Sequence, residues 1–519
     1  MDHTSAYPVR QATVKPVPSP TRLRRWLAVA LWIAATSCLS IAAVATPAAP
    51  PLEQPSLEQI RAQVDAGDFK AAESGIAEAL KQPGLSTRQQ QAHAFQRERM
   101  RRILLDFTLG EDEVKARVRK QIPDLTDAEF AKWNAAGLFE HQVIDGRTLY
   151  FNRSPSNLFR LSEEALVRRD PKQSPITDGP MEALNQHQRA IREAALAGHR
   201  SSVLPLRLRM TQKLTVDADA VPAGKTVRAW IPYPRALPGH QEDIDFIGSV
   251  PTDHAIAPES ALQRTVYLEK VAQAGQPTQF AVTYELTIYG QSHVIDADKV
   301  TAPEITFELA PFIAERAPHV VFTDAMRAFS RKVVGDEKNP YRIAQKLFAA
   351  VDEIPWAGAR EYSTISNISD YALHAGHADC GQQTLLLITL LRLNGIPARW
   401  QSGMVFSDGD YSNIHDWGQV YLAPYGWVPM DVTTGRLKIA EGDDPALEWF
   451  YLGGLDNWRI AFNDDWSQSF DPPKQHFRSD NVDSQRGEAE WDGGNLYFNQ
   501  TDYDFEWQIL PPEQGRAAG

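Results

Sequence analysis

The sequence predicts an α+β protein of several units, and three changes of pattern along the chain predict it. Helix-period segments fill residues 56–198, strand-period segments fill 204–298, and helices alternate with strands over 303–470. A leader (1–45) and a Pro-rich linker (46–55) precede these units, and an acidic, aromatic-rich tail (471–519) follows them. At 519 residues the chain is too long for one ordinary core, which agrees with a multidomain layout.

In the leader, Arg22, Arg24 and Arg25 stand before a 19-residue apolar run, Trp26 to Val44, which closes on Ala43-Val44-Ala45. A positive flank, an apolar run and a small-x-small site predict a secretory signal cleaved near Ala45. A run of this length also spans a bilayer if uncleaved, which would tether the chain through residues 26–44. In either case the expected location is exported: periplasmic, secreted, or membrane-anchored with the bulk outside the cytoplasm. Beyond residue 45 the chain carries 48 basic and 65 acidic residues, a net charge of −17, so nucleic acid is not an expected partner. Cys38 lies in the leader, which leaves Cys380 as the exported part's one cysteine and excludes an internal disulfide.

The helical unit rests on LEQIRAQVDAGDFKAAESGIAEALKQ and STRQQQAHAFQRERMRRILLDF, followed by DLTDAEFAKWNAAGLFE with Thr126 or Asp127 as its N-cap. HQVIDGRTLYFN predicts a small hairpin about Asp145-Gly146. No acid, base and nucleophile arrangement stands out here, so a scaffold or binding role is expected. The β unit rests on PLRLRMTQKLTVDADAV, KTVRAWIPYP, LQRTVYLEKV and TQFAVTYELTIYG, whose alternation predicts a small antiparallel sandwich. In the third unit, GQQTLLLITLLRLNG reads as a helix buried nearly all round and ended by Gly395 and Pro397, with strands ARWQSGMVF, HDWGQVYLA and GWVPMDV after it. The tail is expected to wrap this unit, with a frayed end.

Cys380 heads the buried helix. Unpaired N–H groups and the positive dipole end favour a thiolate there, and the Cys380 N–H can face an oxyanion forming on a substrate carbonyl. The base candidate is His415. Folding the hairpin about residue 423 sets His415 opposite Asp431, and cross-strand Cβ atoms about 4.5–5.5 Å apart let a carboxylate fix an imidazole tautomer. Whether His415 reaches Cys380 depends on the fold.

HADCGQQTLLLITLLRLNGIPARWQSG, then HDW, then GWVPMDVTTG, resemble the transglutaminase-like superfamily of papain-like cysteine enzymes over roughly residues 303–470. The resemblance implies a papain-like/transglutaminase-like core, with Cys380 as nucleophile, His415 as general base and acid, and Asp431 as the residue that orients it. It also makes Tyr362 a candidate oxyanion or cleft residue. Trp417, two residues from His415 on one strand face, is a second cleft candidate. Asp416 departs from the family pattern, where many members carry a small residue. The implied chemistry is acyl transfer through a Cys380 thioester on a peptide or protein substrate, with hydrolysis expected ahead of crosslinking and no cofactor or metal expected.

Other readings stay open at this point. Cys380 is read alternatively as a buried structural thiol. His374, His377 and Cys380 have the spacing of zinc ligands, with His415 as a fourth, which would make the protein a zinc hydrolase. A catalytically silent peptide- or glycan-binding envelope protein on the same fold is the remaining alternative.

Overall fold

The computed structural model describes residues 56–511 except 175, 177 and 178, so the leader, the linker and the last residues of the tail lie outside the described residues. The fold is α+β. The first unit holds α1 (Leu57–Ala66), α2 (Phe69–Leu80), α3 (Thr87–Asp106), α4 (Glu111–Arg119), α5 (Asp127–Ala135), α6 (Ser154–Leu161), α7 (Glu163–Arg168) and α8 (Gln186–Gly198). Capping boxes start several of them: Ser56 with Gln59, Ser86 with Gln89, and Thr126 with Glu129, which makes Thr126 the cap of α5. Strands β1 (Phe107–Leu109), β2 (His141–Ile144) and β3 (Arg147–Phe151) form a small antiparallel sheet. Its hairpin turns at Asp145 and Gly146, both with positive φ (47° and 82°), the conformation that a two-residue turn of this kind requires.

The sandwich uses β4 (Ser202–Val216), β5 (Thr226–Pro232), β6 (Gln241–Val250), β7 (His254–Ile256), β8 (Thr265–Val271) and β9 (Thr278–Ser292). The third unit adds α9 (Asp324–Val334), α10 (Pro340–Asp352), α11 (Ile368–His374), α12 (Cys380–Leu393), β10 (Ala398–Phe406), β11 (Ser412–Leu422), β12 (Gly426–Met430), β13 (Gly454–Leu455) and β14 (Arg459–Asn463). Its antiparallel sheet runs β12-β11-β10-β14. Every residue of α12 from Cys380 to Arg392 is buried, so the helix is surrounded on all sides. Arg392 is tolerated there because its guanidinium donates to the carbonyls of Ala398, Pro311 and Ala314. Asn394 is the C-cap, and Gly395 follows it at φ 71°.

The tail corrects the sequence expectation. Its first part does lie against the third unit, where Gln485 bonds the His415 carbonyl and Asp416, but from Glu488 onward it supplies β15 (Glu488–Trp491), β16 (Gly494–Leu496) and β17 (Thr501–Ile509) to the sandwich. One sheet runs β13-β9-β4-β17 with β6 also on β9, and the other runs β16-β15-β5-β8-β7. Strand β17 pairs with β4 from Thr501↔Val216 to Ile509↔Leu208. The physical reason lies in TDYDFEWQI, where Tyr503, Phe505 and Trp507 fall on one face at strand period; Phe505 and Trp507 pack against the sandwich core.

Candidate functional site

Asp379 starts α12. Its carboxylate accepts the Gln382 N–H at 3.0 Å, and the Gln382 side chain accepts the Asp379 N–H at 3.2 Å, closing a capping box around Cys380. Cys380 therefore sits on the first turn of a fixed helix N-terminus, 8% exposed. Gly381 beside it is required: a Cβ there would lie 2.1 Å from Tyr362 Oη and 2.8 Å from Asp416 Oδ2.

On the neighbouring strand β11, His415 Nε2 lies 2.8 Å from Asp431 Oδ2. The structure brings this pair together by a different route from the one expected. The β11–β12 register runs Leu422↔Gly426 to Gly418↔Met430 about a three-residue loop, Ala423 to Tyr425, so the hairpin is centred on Pro424 and not on residue 423. Asp431 is the first residue past β12, and that register extended by one step would set it opposite Trp417. It meets His415 diagonally, on the face that positions 415 and 417 share by strand alternation. Counting about a turn whose length was unknown misplaced the register by one residue in each strand.

The Asp431 carboxylate is saturated. Its Oδ1 accepts the N–H groups of Thr433 and Thr434, and its Oδ2 accepts Thr434 Oγ1 and Arg459 Nη1 as well as His415. Burial would raise its proton affinity, but His415 and the Arg459 guanidinium outweigh burial and hold it below the usual carboxylate range. Arg459, itself fully buried on β14, also binds Asp456, which accepts Tyr451 Oη at 3.1 Å.

The thiol has another partner. Cys380 Sγ donates to Asp416 Oδ2 at 3.2 Å. Asp416 follows His415 on β11, and alternation sends the two side chains to opposite faces of the strand. Tyr362 Oη lies 3.1 Å from the same Asp416 oxygen and 3.0 Å from Asp379 Oδ1. A phenol has one proton to give, so two carboxyls around it are satisfied together only if one is protonated. Burial and mutual repulsion act in that direction, raising Asp416 to about 7, and burial above all raises Asp379 to about 6. Burial, then Asp416 and Asp379, push the Cys380 thiol well above its ordinary value, opposing the helix-terminus effect expected from the sequence.

Tyr362 thus stands beside the thiol, bound to the two carboxyls that flank it. Trp417 is fully buried behind His415, with ring centroids 6.0 Å apart and its Nε1 donating to Gln401, so it backs the imidazole and does not border an open cleft. The zinc set is not assembled. His374 Nδ1 bonds the Asp370 carbonyl, His377 Nδ1 bonds the Ala375 carbonyl, and His415 bonds Asp431. Among the described residues no group of three or more His, Cys, Asp and Glu is placed to hold a metal ion.

Sequence reasoning passed over three residues here. Asp416 was visible only as a departure from a family pattern. Arg459 and Gln485, whose side-chain amide donates to the His415 carbonyl (2.8 Å) and to Asp416 Oδ1 (2.9 Å), carried no local signal.

Residues 327–432 match the family model of the transglutaminase-like superfamily. Among solved structures, a candidate cysteine protease from Cytophaga hutchinsonii is similar at 15% identity and a TM-score of 0.41, covering 60% of this chain and 92% of that one. The periplasmic domain of TgpA from Pseudomonas aeruginosa is similar at 14% identity and a TM-score of 0.25, covering 45% of this chain and 93% of that one. No curated protein matches the chain.

Proposed function

We propose that the chain is an exported cysteine enzyme of the transglutaminase-like superfamily, whose family model matches residues 327–432, and that it acts by acyl transfer, as a peptidase or amidase ahead of a crosslinking transglutaminase. The observation that carries the reading is a cysteine on the first turn of α12 beside a strand whose histidine is locked to a buried aspartate. Cys380 attacks a carboxamide or peptide carbonyl, and the Cys380 N–H at the helix start faces the developing oxyanion. His415, oriented by Asp431 through Nε2, is the base that takes the thiol proton and passes it to the departing amine. Water then releases the thioester as an acid; an amine acceptor would yield a new amide. In the structure the thiol is bonded to Asp416 and the imidazole to Asp431, on opposite faces of β11, so proton transfer from Cys380 to His415 requires a rearrangement that both breaks the Asp416 bond and brings the imidazole to the sulfur.

Export rests on the leader pattern of residues 1–45. Among the described residues no helix is long and apolar enough to cross a membrane; an uncleaved leader would tether the chain through residues 26–44. The test is turnover. A fluorogenic peptide library and an amine-incorporation assay, run with the parent and Cys380→Ala, should show hydrolysis that the variant lacks. Turnover unaffected by Cys380→Ala would overturn the reading.

A second reading, a catalytically silent binding protein on this fold, is favoured by one observation: the thiol is bonded to a carboxyl and its ionisation is opposed by burial. It predicts a thiol that stays unreactive even when the site is opened.

A further inference from the structure

Between β14 and β15 the chain runs from residue 464 to 487 without a helix or strand. This is longer than the roughly 12–15 residues beyond which an irregular connection inside a compact domain is usually functional. Its two ends are fixed in different sheets, β14 in that of the third unit and β15 in the sandwich. Its last part is bonded to the candidate site. The Gln485 amide bridges the His415 carbonyl at 2.8 Å and Asp416 Oδ1 at 2.9 Å, so one side chain ties the segment to both the histidine and the thiol's own partner. Arg486 bonds Glu361, the residue before Tyr362, at 3.0 Å. With the segment so placed Cys380 is 8%, His415 2% and Asp431 0% exposed, too little for a peptide to reach the sulfur.

The helical unit holds the same segment from outside. Arg102 of α3, fully buried, donates Nη1 to the Ser479 carbonyl at 3.0 Å and Nη2 to the Arg478 carbonyl at 2.8 Å. Phe95, two turns earlier on α3, meets Phe477 edge-on at 5.4 Å between ring centroids. Arg478 in turn stacks on Phe470 and donates to the carbonyls of Gln468 and Asp483, which folds the segment on itself. A buried guanidinium spent on two main-chain carbonyls fixes a loop's position, since neither carbonyl has a helix or sheet partner to return to.

We propose that residues 464–487 are an autoinhibitory strap, closed over Cys380 by Gln485 and clamped in place by Arg102 and Phe95 of the helical unit. This rests on Cys380 being the working nucleophile, and it gives the helical unit a regulatory role, because α3 sets how often the strap lifts. The strap cannot be deleted as a test, because the strands that follow it complete both sheets of the sandwich.

The experiment measures iodoacetamide alkylation of Cys380 in the full chain at pH 8. Peptide mass spectrometry reads the label, so that Cys38 does not contribute. Gln485→Ala, Arg102→Gln and Phe477→Ala are compared with the parent, and each is checked for an unchanged far-UV spectrum and a cooperative melt. The parent should react at least tenfold more slowly than a cysteine peptide, and Gln485→Ala and either clamp variant should accelerate labelling by tenfold or more. Phe477→Ala, a truncation at a partly exposed site, serves if Arg102→Gln does not fold. Folded variants that label within twofold of the parent, or a parent that labels like the free peptide, would overturn the strap. Acceleration without any peptide or amide turnover would leave the strap standing and count against the catalytic reading instead.

Discussion

Arg459 Nη1 and His415 Nε2 reach the same oxygen of Asp431, each at 2.8 Å. The carboxylate that orients the histidine is thus also half of a fully buried ion pair, and Arg459 couples it to Asp456. Removing the cation takes the shared counter-ion from two buried carboxylates, which keep only their other hydrogen bonds. Such a loss costs about 3–5 kcal/mol. Arg459→Met should therefore lower the urea-unfolding free energy by that amount, and Arg459→Lys should recover part of it. A loss below about 1 kcal/mol for Arg459→Met would show that the network does not hold the site together.

Asp416 should make stability depend on pH in the direction opposite to an ordinary carboxylate. Its affinity for a proton is raised from 3.8 to about 7 by burial, with Asp379 adding to it, while contacts to Asp483, Cys380 and Tyr362 work the other way. The native state keeps this proton where the unfolded chain has lost it. Its contribution is fully present below pH 4 and is lost as pH rises through about 7, at up to about 1.4 kcal/mol per pH unit. Asp416→Asn keeps the shape without the charge. Unfolding free energies of parent and variant at pH 5 and pH 8 should show the variant gaining on the parent at the higher pH, whereas a constant difference would contradict the assignment.

Gly381→Ala tests how closely Tyr362 is set against the start of α12. The added Cβ would meet Tyr362 Oη at 2.1 Å, so the ring must move and its bonds to Asp379 and Asp416 must break. Overpacking of this kind costs about 1–3 kcal/mol. Tyr362→Ala in the same background should recover a measurable part of that loss in a double-mutant cycle. Strict additivity of the two substitutions would place Tyr362 elsewhere in solution.

What the sequence made legible follows from which signals are local. The N-terminus of α12 was readable because a lone cysteine stands at the head of a long apolar run. The partnership of His415 with Asp431 was readable because a hairpin joins them, although its register was not, since one residue of loop length shifts the alignment. The C-terminal strands were missed because the pairing of β17 with β4 joins residues almost three hundred positions apart, and the aromatics of the acidic tail were read as a segment wrapping the third unit. The hydrogen bond from Cys380 to Asp416 was beyond sequence reasoning. Alternation fixes that 415 and 416 diverge, but only the packing of α12 decides which of them the sulfur meets.

The central claim, that Cys380 is a nucleophile served by His415, is tested most directly by its ionisation once the strap is loosened. In a Gln485→Ala background, the rate of Cys380 alkylation is followed from pH 4 to 10 with and without His415→Ala. A paired thiolate should titrate below the ordinary thiol value of about 8.5 and move up when His415 is removed. A midpoint at or above about 8.5 that ignores His415 would contradict the account and leave Cys380 a structural thiol bonded to Asp416.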